Sequence, residues 1–276
     1  LIPTTSGDNV LTEIDISSLE SNGTEMRDIR GSEMTMIFQE PMVSFSPVHT
    51  IGHQIIEGIM LHQGVDKTEA RDKAIAILQR VGIADPDRNI DAYSFNLSGG
   101  MRQRCMIAMA LSCNPTLLIA DEPTTALDVT TQAQILELIT ELQQDFGMAI
   151  MLITHNLGVI AQMAEEVIVM YLGKVVERAA VHTLFNDPKH PYTQELLKSV
   201  PQLRSVRATE RLAAIEGNVP LPTVRPSGCP FHPRCPKFVS GLCDEQEPQM
   251  VSFENGHEAS CLLYSESLAP LEEVST

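Results

Sequence analysis

Apolar residues along this chain follow two spacings in turn. The segment DKTEARDKAIAILQRVG puts Ala70, Ala74, Ile77, Leu78 and Val81 on one face at helical spacing. Asp66 and Glu69 form a capping box ahead of it, and Gly82 supplies the stop. TTQAQILELITELQQDFG repeats the pattern, with Ile135, Leu138, Ile139, Leu142 and Phe146 inward and Gly147 as terminator. A further helix is expected from Ser98 to about Cys113. The short apolar stretch TLLIAD lies between two of these helices, MAIMLIT follows the last, EVIVMY and KVVE come after a further short helix, and another stretch precedes Gln39. Their length suits buried strands. Strands alternating with helices predict an α/β fold whose parallel sheet is covered on both faces. Such sheets bind ligands at the carboxyl ends of their strands. Asp121, Glu122 and His155 each fall just past a strand, at that edge.

The pattern changes after about Ala180. A short helix is expected from near Pro191 in HPYTQELLKSVP, and a loop-rich tail follows. Six prolines between Pro220 and Pro236 exclude long regular elements there. The reading is therefore a domain over 1–180 and a small appended domain over 181–276. The second has a thin core that a crosslink or metal would help.

Composition narrows the function classes. With 19 basic and 36 acidic residues the net charge is −17, against the basic excess expected of a protein that wraps nucleic acid. No stretch approaches the roughly 18 apolar residues of a membrane span. The opening LIPTTSGDNV has neither the basic start nor the apolar middle of an export signal. A reducing compartment is expected, which disfavours disulfides. Cys105 and Cys113 fall in a helical pattern and read as small buried hydrophobes.

Four short motifs carry candidate chemistry. In LLIADEP, Asp121 is suited to hold Mg²⁺ and Glu122 to polarise a water aimed at a phosphate; an ordinary acidic turn is the plain alternative. In LSGGMRQR, Ser98, Gly99 and Gly100 open a helix, where a hydroxyl and free N–H groups favour an anion; a simple N-cap is the alternative. Arg102 and Arg104 read as solvated helix residues. In MIFQEP, Gln39 could ligate Mg²⁺ through its carbonyl and sense a γ-phosphate. In MLITHN, His155 could contact a γ-phosphate or orient water.

Their order and spacing, with Asp128 in ALD, resemble the ATP-binding-cassette (ABC) ATPases over roughly 30–180. The resemblance makes Gln39 the Q-loop residue, LSGGMRQR the signature, LLIADEP the Walker B strand, Asp128 the D-loop residue and His155 the switch histidine. It implies a P-loop-NTPase-like fold with a parallel sheet core and a helical signature subdomain. RGSEMTMIFQEPMVSFSPVHTIGHQI, HPYTQELLKSVP and GCPFHPRCP are similar to the branch that imports dipeptides, oligopeptides and, in some members, nickel. That branch implies ATP and Mg²⁺ as cofactors. It implies a peripheral subunit on the cytoplasmic face of the membrane, bound to two permeases and fed by an extracytoplasmic solute-binding protein. Catalysis would fall to Glu122, His155 and Gln39, with Asp121 and Gln39 on the metal. Ser98, Gly99, Gly100 and Asp128 would face ATP held by a second cassette, since cassettes pair head to tail.

One part is missing from the sequence. A phosphate-cradling loop needs G-x-x-x-x-G-K-[ST]. The only Gly-Lys pair, Gly173–Lys174, is followed by valine. The expectation is truncation before Leu1, with a naturally loop-less regulatory subunit as the alternative. By itself the chain is expected to show no ATPase activity.

The tail carries Cys229, Cys235, Cys243 and Cys261, with His232 and His257 nearby. Four cysteines in such a domain suggest a metal. The resemblance implies a [4Fe–4S] cluster, carried by some members; reduced thiols and zinc remain open. Two rival functions stay beside the transport reading. One is a soluble cassette protein of translation or repair, which would carry two cassettes or long coiled coils. The other is a metal-sensing regulatory module.

Overall fold

The computed structural model describes residues 2–5, 11–40, 44–199, 215–221 and 223–265. The chain forms two compact units, 1–155 and 156–276.

In the first unit, β1 (Ile2–Thr5) and β2 (Leu11–Ile14) pair as an antiparallel ribbon. The short α1 (Thr24–Ile29) leads to β3 (Met34–Ile37). Then come α2 (Ile51–Gln63), α3 (Lys67–Arg80), the single turn α4 (Pro86–Asn89), α5 (Gly99–Leu111), β4 (Leu117–Asp121), α6 (Val129–Phe146) and β5 (Ala149–Ile153). Strands β3, β4 and β5 lie side by side, all parallel, with Met36 opposite Ile119 and Ile119 opposite Met151.

The helices form where their sequences place them. Asp66 caps α3 through the N–H groups of Thr68 and Glu69, and Ala70, Ala74, Ile77, Leu78 and Val81 are all buried. Gly82, at φ 79°, takes the left-handed turn that ends it. In α6 the apolar face buries Ile135, Leu138, Ile139 and Leu142, while Phe146 is only half-buried.

The sheet departs from the expectation of two covered faces. Thr35, Ile37, Leu118 and Ala120 share one face and are buried, and α5 packs on that side against β3. On the other face Met36, Met151 and Ile153 are exposed. Strand β5 therefore alternates between half-buried and exposed positions, although its sequence is continuously apolar.

In the second unit, α7 (Leu157–Met163) precedes β6 (Glu166–Tyr171) and β7 (Lys174–Ala180). Then follow α8 (Val181–Asn186), α9 (Pro191–Lys198), β8 (Met250–Ser252) and β9 (Glu258–Ser260). EVIVMY and KVVE do not join the parallel sheet. They form an antiparallel hairpin in a sheet of order β6-β7-β9-β8. The reason is the turn: Leu172 and Gly173 both adopt positive φ (45° and 75°), the geometry that folds one strand back on the next. The units thus divide before this hairpin, whereas the sequence reading sets the domain boundary after it, at 180. The helix in HPYTQELLKSVP stops at Lys198, and Val200 and Pro201 lie outside the described residues. Phe231 is fully buried at the centre of this unit, ringed by Tyr171, Tyr192 and His190.

Candidate functional site

The parallel register aligns the carboxyl ends of three strands. Asp121 ends β4 opposite Ile153 of β5. Glu122 continues the pairing for one more bond, its N–H donating to the Ile153 carbonyl at 2.8 Å. It then turns sharply, with φ at 44°. A non-glycine residue held there costs on the order of 1–3 kcal/mol, and such strain gathers at functional sites.

Three side chains converge on the Glu122 carboxylate. Gln39, two residues past β3, donates from Nε2 to Oε2 at 3.0 Å. His155, two residues past β5, meets Oε1 through Nδ1 at 2.8 Å. The Thr125 hydroxyl donates to Oε2 at 2.7 Å. The Thr125 bond, then the His155 bond, hold the carboxyl below its ordinary pKa, so it is ionised at neutral pH. An anionic carboxylate at a sheet edge, beside an imidazole, can take a proton from water. Residues 83 and 33 positions from Glu122 are brought to one point, and all three catalytic candidates are among them.

The metal candidates pass a simple test of fit. Gln39 spends its amide N–H₂ on Glu122, which leaves the carbonyl oxygen for a cation. Asp121, half-buried at the end of β4, offers carboxylate oxygens one residue away from Glu122. Oxygen donors of this kind suit Mg²⁺.

The signature residues stand apart from this trio. Ser98 is the N-cap of α5, its Oγ accepting from the Met101 N–H at 3.3 Å. Ser98 and Gly99 are exposed. Gly100 has a packing reason as well, since a Cβ there would come within 3.1 Å of the Thr131 methyl. Asp128 is the N-cap of α6: it accepts from the Thr131 N–H at 3.0 Å and from its hydroxyl at 2.7 Å. Among the described residues no hydrogen bond joins Ser98, Gly99, Gly100 or Asp128 to Gln39, Glu122 or His155.

The comparisons with known proteins now bear on these two groups. The ABC transporter family model matches residues 2–125, and the oligopeptide/dipeptide transporter C-terminal region matches 176–243. The oligopeptide transport ATP-binding protein AppD of Bacillus subtilis is 50% identical over 93% of this chain and 76% of its own length. The dipeptide transport ATP-binding protein DppD of Escherichia coli is 50% identical over 86% of this chain and 72% of its own. This chain belongs to the oligopeptide/dipeptide branch of the ABC transporter ATP-binding subunits. An ATP-binding cassette solved as a dimer in a post-hydrolysis state with ADP and phosphate shares its fold. That cassette is 27% identical, with a TM-score of 0.53, over 63% of this chain and 71% of its own.

Some residues of this ABC subunit play parts other than those expected. Arg102 and Arg104 are half-buried, not solvated. The Arg102 Nε donates to the Leu97 carbonyl at 2.9 Å, and Arg104 to the Val81 carbonyl at 2.6 Å, where α3 leaves carbonyls without partners. Cys105 is buried as expected, its thiol pushed up to about 12 by burial.

In the C-terminal extension the four cysteines are free thiols that line one cavity of about 10 Å³. Cys229 donates its backbone N–H to the Cys243 carbonyl at 2.8 Å. Burial raises the Cys229 and Cys235 thiols and pushes Cys261 up to about 12. Among the described residues no three His, Cys, Asp or Glu side chains are arranged to hold a metal ion. The donor types suit a thiolate-bound cluster, but a cavity with room for about one water does not. Neither nearby histidine faces a sulfur: His232 meets the Cys229 carbonyl, and His257 meets Glu177.

Sequence reasoning missed Thr125, Gln103 and the Glu177 cluster. Gln103 is buried and donates from Nε2 to the Pro123 carbonyl at 2.5 Å, pinning the turn that carries Glu122. Glu177, in the stretch read only as a strand, accepts from the backbone of Lys189 and His190 and from His257 Nε2. The one available signal was an acidic residue directly after the apolar pair Val175–Val176 of a strand.

Proposed function

We propose that this chain is the ATP-hydrolysing subunit of a membrane ABC transporter importing dipeptides or oligopeptides. The observation that carries the reading is the Glu122 carboxylate, held by Gln39, Thr125 and His155 where three parallel strands end. In the assembled transporter Glu122 accepts the proton of the attacking water, and His155 orients that water and the γ-phosphate it attacks, with ADP as the leaving group. Asp121 and Gln39 would hold Mg²⁺, which offsets phosphate charge when bound. Ser98, Gly99 and Gly100 would present a hydroxyl and helix N–H groups to ATP carried by a second cassette, with Asp128 at the same seam. Two permease subunits and an extracytoplasmic solute-binding protein complete the proposed assembly. The subunit sits peripherally on the cytoplasmic face of the membrane; among the described residues no helix is long and apolar enough to cross one.

Replacing Glu122→Gln in the full-length assembly is expected to lower ATP turnover by roughly 10²-fold or more, and to trap a closed, ATP-loaded dimer. Unchanged turnover would remove Glu122 from the role of base. The expected [4Fe–4S] cluster on Cys229, Cys235, Cys243 and Cys261 has the donor set in its favour and a cavity with room for about one water against it. Colourless, iron-free protein after anaerobic purification would dismiss it.

A further inference from the structure

Thr125 lies outside every motif used above, yet it makes the shortest of the three bonds to Glu122, at 2.7 Å. The two carboxylate oxygens are unequal. Oε2 accepts from both Thr125 and Gln39, while Oε1 meets only the His155 ring. The His155 side chain is 78% exposed, so packing does not hold it in place.

The hydroxyl, in contrast, is tightly placed. Thr125 N–H donates to the Glu122 carbonyl at 3.1 Å, closing the turn. The buried Gln103 amide fixes that turn from α5 through the Pro123 carbonyl. The Glu122 N–H fixes its other end to β5. Threonine is also stiff at χ1, so an anchored backbone places its oxygen well.

We propose that Thr125 is a positioning residue that saturates Oε2 of Glu122 and so reserves Oε1 for the attacking water. An oxygen already accepting two hydrogen bonds has its lone pairs directed at those donors. A water must therefore approach Oε1, on the side where the exposed His155 ring stands. The inference rests on the ATPase reading.

The test uses two substitutions. Thr125→Val keeps the shape and removes the hydroxyl; Thr125→Ser keeps the hydroxyl. In the full-length assembly Thr125→Val is expected to lower kcat about tenfold with KM for ATP within about twofold, and Thr125→Ser to restore kcat to within about threefold. A second readout does not depend on activity. Crystal structures of the variants are expected to show the Glu122 carboxylate in more than one orientation with valine, and in the present one with serine. An unchanged carboxylate in the folded valine variant would overturn the proposal, and so would turnover equal to that of the parent protein. A reoriented carboxylate in a protein that hydrolyses no ATP even with Thr125 in place would sink the ATPase reading and leave the positioning role standing.

Discussion

The two units each contain a glutamate and a histidine 2.8 Å apart. In the N-terminal unit the pair is His155 with Glu122, and the side chains are 78% and 21% exposed. In the C-terminal unit it is His257 with Glu177, and the figures are 2% and 0%. The distance is the same and the consequences differ. Glu122 sits on a strained residue at a sheet edge, reached by side chains from three strand ends. Its histidine is largely solvated. Glu177 is sealed inside, and besides His257 it takes the N–H groups of Lys189 and His190. Removing any one partner there strands a buried polar group. A close glutamate–histidine contact alone therefore does not mark a working site. Exposure at a strand end, with a solvated partner, sets the proposed site apart from the sealed pair.

The largest expected effect on this contrast comes from Glu177→Ala. It strips a buried carboxylate from an imidazole and two backbone donors. The C-terminal unit should lose about 3–5 kcal/mol, read as a fall in its unfolding midpoint in urea. An unshifted midpoint would deny the pair its structural role.

A smaller effect should follow pH. His190 is buried, its Nδ1 accepts from the Tyr192 N–H, and burial lowers its pKa from 6.5 to about 4. The unfolded chain thus binds this proton more readily than the folded one. The sign is fixed: the His190 contribution is fully present above pH 6.5 and declines as pH falls toward 4, by up to about 1.4 kcal/mol per pH unit. Stability of the C-terminal unit should follow that slope in urea melts between pH 7 and 4. His190→Asn, which keeps an acceptor at the cap of α9, should flatten it. A slope that survives the substitution would assign the effect elsewhere.

Much of this was legible in the sequence, for identifiable reasons. Helix α3 was, because Asp66, the apolar face from Ala70 to Val81 and Gly82 act within one helix length. Gln39, Glu122 and His155 were too, because parallel strands bring their ends together wherever those ends lie in sequence. The β6–β7 hairpin was misplaced, though a signal existed. The exposed positions of EVIVMY hold Ile168 and Met170, so its sequence shows no alternation, and the signal was the tight turn at Leu172–Gly173. Glu177 gave little warning because its partners His190 and His257 lie 13 and 80 residues away. Thr125 was hidden beside Thr124, and only the backbone turn decides which hydroxyl meets Glu122.

The central claim is that the exposed Glu122 edge of one cassette and the Ser98–Gly100 edge of another complete a single ATP site. The direct measurement is ATP turnover by full-length two-cassette assemblies carrying Glu122→Gln and Ser98→Arg, or their equivalents in the partner, in two arrangements. With the changes on opposite cassettes one site keeps both its carboxylate and its signature, so turnover should persist at about half the parent rate or less. With both changes on one cassette each site is damaged, and turnover should vanish. The reverse outcome, activity only when one cassette carries both changes, would place the whole site within a single chain and contradict the account.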